Sequence, residues 1–286
     1  MRPIETWRVL PHEMAFGVFL AATFARLAPT LGLASAVTWL YLGLVVIALG
    51  LVFWVGKDSG DLRWRLRLGF YPLAMNAAYF TLGTAIPAFH PGKEDAWLQH
   101  LDTLIIGGNA SLWMQRMIHP ALSDILSACY LFFFPGLLLS WLHYFRRELP
   151  VLRAFIIGQF TVYGLGFLGY SFMPALGPYL DPVLAQQFTT PITGGWITRF
   201  NERVVISGSN KVDVFPSLHC GITLFILLFH RVHAPNQFRW VLLPTIGLWV
   251  ATLYLRYHYF VDLLAGFALA AFALILVCGK PKTRFS

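Results

Sequence analysis

Long apolar segments alternate with short polar connections along most of the chain. About eight of these segments are long enough to cross the hydrocarbon core of a bilayer, since a spanning helix needs roughly 20 residues. The predicted spans are residues 12–30, 37–56, 68–89, 122–144, 151–173, 215–231, 239–255 and 258–279. The pattern therefore predicts an all-α fold, a polytopic integral membrane helical bundle.

Two features of this topology depend on few residues. Arg26 interrupts the first apolar segment, so this segment either crosses the bilayer or lies along its interface. If it does not cross, the N-terminus changes side and the rest of the topology is unchanged. The last two segments have no Gly or Pro between them, and only the polar cluster at 256–258 marks their boundary.

The composition excludes a water-soluble domain. Hydrophobic residues make up 57% of the chain and charged residues only 12%, whereas a soluble domain carries about a quarter charged residues. The cysteines Cys129, Cys220 and Cys278 all lie inside apolar segments, which is typical of packing residues and not of a disulfide framework. The N-terminal sequence mixes acids and bases without a small-residue cleavage site, so no cleavable signal peptide is expected.

The basic residues predict the orientation. The formal net charge is +8, but the 21 lysines and arginines are scattered between apolar segments, so no nucleic-acid partner is expected. Most of them fall in alternate connections, which the positive-inside rule assigns to the cytoplasm. Both termini are then cytoplasmic, and the long loops 90–121 and 174–214 face the extracytoplasmic side. His219 and His258 lie at the outer ends of their spans, at one membrane depth.

His258 and Asp262 are the first candidates for chemistry. Their spacing of four places both on one face of a helix, about one turn apart. A charged aspartate costs about 2.5–3.5 kcal/mol inside a membrane span, so it needs a partner. A carboxylate on one ring nitrogen of His258 fixes the tautomer and prepares the other nitrogen as a nucleophile or base. The alternative is a structural pair that holds two helices together.

The sequence FPSLHCG begins the sixth predicted span. Pro216 suits the first turn of a helix, and the free N–H groups at that end favour an anion. Ser217 adds a hydroxyl donor, and a protonated His219 is placed to bind a phosphate or to protonate a leaving oxygen. The alternative is a capped helix whose histidine only makes an interfacial hydrogen bond.

Arginine and lysine residues near these motifs are candidate anion ligands. The planar guanidinium of Arg256 matches phosphate oxygens, and the alternative for Arg256 is snorkelling at a span end. Lys211, Arg199 and Arg203 precede FPSLHCG in the outer loop and are candidate contacts for a lipid headgroup. The alternative is that these three side chains are solvated.

The sequences FPSLHCG and RYHYFVDLLAG resemble the second and third signature motifs of the type 2 phosphatidic acid phosphatase superfamily. The match is nearest the inositol phosphorylceramide synthase branch of this superfamily. The stretch GYSFMPALGPYL of this chain resembles the Pro- and Gly-rich first motif of that branch. Tyr179 in that stretch is a further candidate headgroup contact. The resemblance implies a catalytic core at 101–286 with six helices, whereas the transmembrane helices of residues 1–100 have no assigned role.

The resemblance implies metal-independent phosphoryl transfer on a lipid phosphate within the bilayer through a phosphohistidine, with no cofactor. His258 is then the nucleophile, Asp262 orients it, and His219 protonates the departing oxygen. The first motif lacks the lysine and arginine of phosphatase members, and Thr252 stands where they have a third basic residue. Arg256 is the candidate replacement. These departures favour a phosphotransferase with a headgroup alcohol as acceptor.

Three other functions stay open. A lipid phosphate phosphatase would use water as the acceptor. A proton-coupled transporter would use His258 and Asp262 as a relay and would place further ionisable residues deep in its spans. A non-catalytic membrane scaffold would tolerate loss of either histidine.

Overall fold

The computed structural model describes residues 8–56 and 58–278, and this part of the chain folds into helices joined by turns and loops. The helices are α1 (Pro11–Thr30), α2 (Ala36–Trp54), α3 (Asp61–Tyr79), α4 (Leu82–Phe89), α5 (Asp95–Ile106), α6 (Ala110–Met114), α7 (Pro120–Leu131), α8 (Phe133–Phe145), α9 (Leu149–Phe172), α10 (Pro182–Ala185), α11 (Trp196–Gly208), α12 (Leu218–His233), α13 (Pro235–Tyr254) and α14 (Phe260–Cys278). The predicted all-α class is confirmed. The termini at 1–7 and 279–286, for which a cytoplasmic location is predicted, lie outside the described residues.

Four helical segments are long and apolar enough to cross a membrane: α2, the α7–α8 pair, α9 and α14. Helix α12 is a shorter apolar helix. These segments coincide with five of the predicted spans, and α1 and α13 form less apolar helices at two other predicted positions. The chain is therefore a polytopic, multi-pass membrane protein.

Two predicted spans are interrupted. The segment predicted at 68–89 is not one helix: α3 begins at Asp61 and ends at Tyr79, and α4 follows at Leu82. The Thr81 hydroxyl donates to the Ala78 carbonyl (2.9 Å) at this break and competes with helix propagation. The segment at 122–144 consists of α7 and α8, which are separated at Phe132. Pro135 explains this break, because in a continuous helix its ring would clash with the carbonyl of Leu131, four residues earlier.

Helix α9 lies at the centre of the bundle and contacts α1, α3, α12 and α14. In its most apolar stretch 78% of the residues are buried, against 22% in α2. Gly164 permits the closest approach of α1, since a Cβ atom there would lie 2.6 Å from the Phe16 backbone nitrogen. The N-terminal helices are thus packed directly on the helix that also contacts α12 and α14.

A buried ion pair joins α1 to α3. Arg67 Nε lies 2.6 Å from Glu13 Oε1, and Arg67 Nη2 lies 2.5 Å from Glu13 Oε2. Two further guanidinium N–H groups donate to the carbonyls of Val55 (2.9 Å) and Arg8 (2.8 Å). Because four of its five N–H donors are occupied, the buried Arg67 holds the N-terminal helices in one arrangement.

Candidate active site

The first histidine motif forms the N-terminus of α12. Ser217 is the N-cap residue, and its Oγ accepts a hydrogen bond from the Cys220 backbone N–H (3.4 Å). The prediction that Pro216 lies in the first helical turn is wrong, because Pro216 precedes the cap. Serine is a preferred N-cap residue, and its side chain replaces the missing helical acceptor. The Ser217 hydroxyl is buried against its own helix.

The second motif forms the N-terminus of α14. His258 precedes this helix, whose first residue is Phe260, so the prediction that His258 and Asp262 share a helix face is wrong. Asp262 reaches back to the Tyr259 backbone N–H (2.8 Å), as the third residue of a capping box does. The same carboxylate oxygen lies 3.3 Å from His258 Nδ1. The predicted partners are therefore in contact through a helix cap.

Backbone contacts hold the two motifs together. The Ser217 N–H donates to the Asp262 carbonyl (2.9 Å), which links the cap of α12 to the first turn of α14. One turn further along, Gly221 and Gly266 let the two helices touch, since a Cβ atom on Gly221 would lie 2.8 Å from the Gly266 carbonyl oxygen. Residues far apart in sequence thus share one site.

The structure brings the two imidazoles to one cavity. The ring centroids of His219 and His258 lie 5.7 Å apart, and both side chains line a cavity of about 370 Å³. His219 Nε2 lies 3.2 Å from the Tyr130 hydroxyl, and the Phe133 ring packs against the same imidazole. Two imidazoles at this separation leave room for a phosphate group that contacts both.

The cavity wall is mostly aromatic and apolar. Within residues 8–56 and 58–278, no lysine or arginine lines it, and its ionisable groups other than tyrosines are His219, His258 and Asp213. The lining tyrosines are Tyr79, Tyr130, Tyr163, Tyr170, Tyr179 and Tyr257. Such a lining suits a lipid headgroup and the start of its chains.

His258 lies in the turn before the candidate span of α14. Burial lowers the pKa of His258 to about 4, and the nearby Asp213 charge and the Val214 backbone oppose this shift. The imidazole is therefore neutral at neutral pH, which is the protonation state that a nucleophile requires.

Arg256 lies beside the motif without lining the cavity. Its guanidinium carbon lies 3.8 Å from the centroid of the Phe188 ring, and Nη2 donates to the Thr190 carbonyl. Its backbone has a φ of 68°, in the left-handed region that non-glycine residues rarely adopt. Burial lowers the pKa of Arg256.

The other predicted headgroup contacts fall into two groups. Tyr179 lines the cavity with the histidines. Lys211, Arg199 and Arg203 are exposed and lie outside the lining. Of the residues selected from the sequence, the structure thus brings together His219, His258, Asp262 and Tyr179.

Two aspartates of α5 stabilise the site from outside it. Asp102 accepts hydrogen bonds from the Phe260 (2.9 Å) and Val261 (2.8 Å) backbone N–H groups, the first two of α14. Asp95 accepts from the Tyr259 hydroxyl (2.9 Å) and from the backbone N–H groups of Leu176 and Gly177, in the loop after α9. Burial raises the pKa of Asp102, and its two backbone donors oppose the shift. Neither aspartate belongs to a recognised motif, and the only signal in the sequence is an acidic residue within an apolar outer segment.

Asp213 and Tyr79 were also not selected. The Tyr79 hydroxyl of α3 donates to Asp213 Oδ2 (2.7 Å), and both residues line the cavity. Asp213 stands three residues before Pro216, so its position beside the histidine motif was a signal. Tyr79 had none, because it lies in the N-terminal region without a recognised motif.

The fold and the site define a polytopic helical membrane protein in which two histidines meet in one cavity and one of them contacts an aspartate. The chain belongs to the PAP2 superfamily, whose family model matches residues 96–276. The resemblance expected from the two histidine motifs is thereby confirmed.

Two curated relatives show the same likeness. An inositol phosphorylceramide synthase of Candida albicans is 29% identical over 213 residues, which cover 66% of this chain and 43% of that protein. A phosphoinositol dihydroceramide synthase of Bacteroides thetaiotaomicron is 25% identical over 173 residues, which cover 53% of this chain and 54% of that protein. The chain thus matches about half the length of these relatives. No solved structure matches it.

Proposed function

We propose that the protein transfers the phosphoryl group of a lipid phosphate ester to an alcohol, as a phosphotransferase of the inositol phosphorylceramide synthase type. The single observation that carries this proposal is the pair of imidazoles 5.7 Å apart in one cavity, with Asp262 beside Nδ1 of His258. Both relatives are synthases, which supports transfer over hydrolysis.

In the first step, Nε2 of His258 attacks phosphorus and forms a P–N bond. The P–O bond to the leaving alcohol breaks, and a protonated His219 gives its proton to the departing oxygen. Asp262 keeps the Nδ1–H tautomer of His258 and stabilises the positive charge that develops on the ring. The products of this step are a phosphohistidine and a free lipid alcohol.

In the second step, the hydroxyl of an acceptor alcohol attacks phosphorus. Its proton passes to the now neutral His219, the P–N bond breaks, and His258 returns to its neutral form. The new P–O bond completes the product, and both histidines regain their initial protonation states. No cofactor or metal ion is required by this balance of atoms and protons.

Charge neutralisation is the demanding part of this chemistry. The N-terminus of α12 supports it, because Leu218 and His219 belong to its first turn and line the cavity. We propose that Arg256 also binds phosphate, for which its guanidinium must leave Phe188 and Thr190. Ser217 would contribute in the same way only if its hydroxyl turned away from Cys220.

We further propose that both termini are cytoplasmic and that the site opens to the extracytoplasmic side. The alternative activity is hydrolysis, in which water takes the place of the acceptor alcohol. The described cavity lining contains no lysine or arginine. Phosphatase members of the superfamily carry basic residues in their motifs, so this difference favours transfer over hydrolysis. A transporter or a scaffold would not need the two imidazoles to share a cavity.

The test uses the purified protein in lipid nanodiscs with phosphatidylinositol carrying radioactive phosphorus and with ceramide. We expect the label to appear in a phosphorylated ceramide, and His258→Ala and His219→Ala to abolish its formation. The matched control is His100→Ala, because His100 is exposed and lies outside the cavity. Release of labelled inositol phosphate regardless of ceramide would establish the hydrolase instead. Full turnover in a folded His258→Ala variant would refute the catalytic assignment.

A further inference from the structure

The cavity carries one polar cluster apart from the histidines, formed by Asn76, Tyr79, Ser209 and Asp213. The Tyr79 hydroxyl donates to Asp213 Oδ2 (2.7 Å), and the Ser209 hydroxyl lies 3.4 Å from Asp213 Oδ1. Asn76 and Tyr79 lie three residues apart on α3, and therefore on one face of that helix. All four residues line the cavity.

The carboxylate of Asp213 is an unexpected lining group for a site that binds phosphate. No lysine or arginine of the described lining lies beside Asp213, and the Lys93 ammonium interacts with its charge from outside the lining. On the cavity side, the carboxylate repels an anionic substrate unless it meets hydrogen-bond donors. An ionised carboxylate accepts about four hydrogen bonds. The Asn210 N–H (3.2 Å) and the hydroxyls of Ser209 and Tyr79 supply three, so the carboxylate can accept a further donor.

We infer that this cluster is the subsite for a polyhydric headgroup and that Asp213 and Tyr79 determine the choice of donor lipid. The inference rests on the proposed transferase and specifies its substrate. Hydroxyl groups fit the cluster because they both donate and accept, as do the neighbouring hydroxyls of Tyr79 and Ser209 and the amide of Asn76. An ammonium headgroup could use only the carboxylate and the aromatic rings.

The subsite also gives the N-terminal helices a function. Asn76 and Tyr79 belong to α3, outside residues 96–276 of the family match, yet they line the cavity that holds His219 and His258. The superfamily core supplies the reacting histidines. The N-terminal region supplies two side chains of the headgroup subsite, Asn76 and Tyr79.

The experiment compares donor lipids in nanodiscs, with ceramide as acceptor. The donors are phosphatidylinositol, phosphatidylglycerol, phosphatidylcholine and phosphatidylethanolamine. We expect the native protein to prefer phosphatidylinositol, and Asp213→Asn to raise its KM about tenfold with a much smaller change in kcat. Tyr79→Phe should raise KM in the same direction by a smaller factor. Asp58→Asn, at an exposed position outside the cavity, is the matched control.

Three outcomes would overturn the subsite. An equal loss with every donor would assign Asp213 a structural role, and a loss confined to phosphatidylcholine and phosphatidylethanolamine would make the cluster an ammonium site. An unchanged KM for phosphatidylinositol would exclude any contact. Thermal unfolding of each variant shows whether it remains folded.

Binding separates this inference from the proposed reaction. Short-chain phosphatidylinositol is titrated calorimetrically into His258→Ala, with and without Asp213→Asn. If binding occurs and Asp213→Asn weakens it about tenfold, the subsite stands even where the native protein forms no product and the proposed transfer fails. Equal affinity of the two proteins, or absence of binding to either, would refute the subsite independently of turnover.

Discussion

Gly221 of α12 lies directly against Gly266 of α14, so that a Cβ atom on Gly221 would come within 2.8 Å of the Gly266 carbonyl oxygen. His219 precedes Gly221 by two residues, and Asp262 precedes Gly266 by four. The contact therefore fixes the distance between the helix that carries one imidazole and the helix whose cap orients the other. Close approach of two backbones is possible only where side chains are absent.

Gly266→Ala should separate these helices and reduce turnover. The new methyl group would collide with the Ser217 carbonyl, which no rotation of a side chain can avoid. We expect kcat to fall at least tenfold, since displacements of about 1 Å cost up to 10²-fold in rate. The measurement is ceramide phosphorylation in nanodiscs.

The control for this substitution is Gly50→Ala on the exposed face of α2, where the added methyl group meets no atom within 4 Å. It should preserve activity and raise stability by up to about 1 kcal/mol, because alanine favours a helix over glycine. Native turnover in Gly266→Ala would show that the helix contact does not set the geometry of the site.

Asp262→Asn should reduce turnover by about 10²-fold or more. The amide retains an oxygen that can accept from the Tyr259 N–H, so the cap of α14 can persist. It lacks the negative charge that stabilises a protonated or phosphorylated His258. The checks are single-turnover kinetics and trapping of the labelled phosphoenzyme, whose P–N bond should be stable to base and labile to acid.

A structural interpretation of the His258–Asp262 contact makes the opposite forecast for Asp262→Asn. It predicts a lower unfolding temperature together with turnover close to native in the folded fraction. Asp58→Asn supplies the reference for a neutralised aspartate at an exposed position.

Asp102→Ala should loosen the start of α14. Removal of the carboxylate leaves the partly buried N–H groups of Phe260 and Val261 without their acceptor. A fully buried group of this kind costs about 1–3 kcal/mol, and a partly exposed one costs less. Because these residues directly follow Tyr259, the change should also alter the orientation of His258. Asp102 is thus a positioning residue.

The readouts for Asp102 are thermal unfolding and the kcat of the folded protein. Asp102→Asn should restore part of both, since an amide oxygen can still accept one of the two hydrogen bonds. A loss of stability without any change in kcat or in the pH profile would restrict Asp102 to a structural role.

The local part of this organisation is visible in the sequence. Apolar runs predict helices, and the motifs around His219 and His258 place each imidazole at a helix end, because these are properties of neighbouring residues. The contact of Asp262 with His258 was also predictable, although it arises from a cap and not from a shared helix face. Short-range patterns thus identify the candidate reactive side chains.

The remaining features depend on contacts between distant segments. Asp102 caps a helix 158 residues later in the chain, and Tyr79 reaches Asp213 across 134 residues. No local pattern encodes such pairs. The direction of Arg256 depends likewise on the loop that carries Thr190, 66 residues away, which is why its position beside the motif did not reveal its present partners.

The pH dependence of kcat/KM should report the neutral imidazole of His258. Its pKa is lowered by burial to about 4, so the nucleophile is protonated, and inactive, only below this pH. The acidic limb of the profile should therefore lie near pH 4 instead of the ordinary histidine value of about 6.5. Removing the negative charge of Asp213, which opposes the shift, should move the limb of Asp213→Asn to still lower pH. An acidic limb near 6.5 in the native protein, or a shift to higher pH in this variant, would contradict the electrostatic assignment.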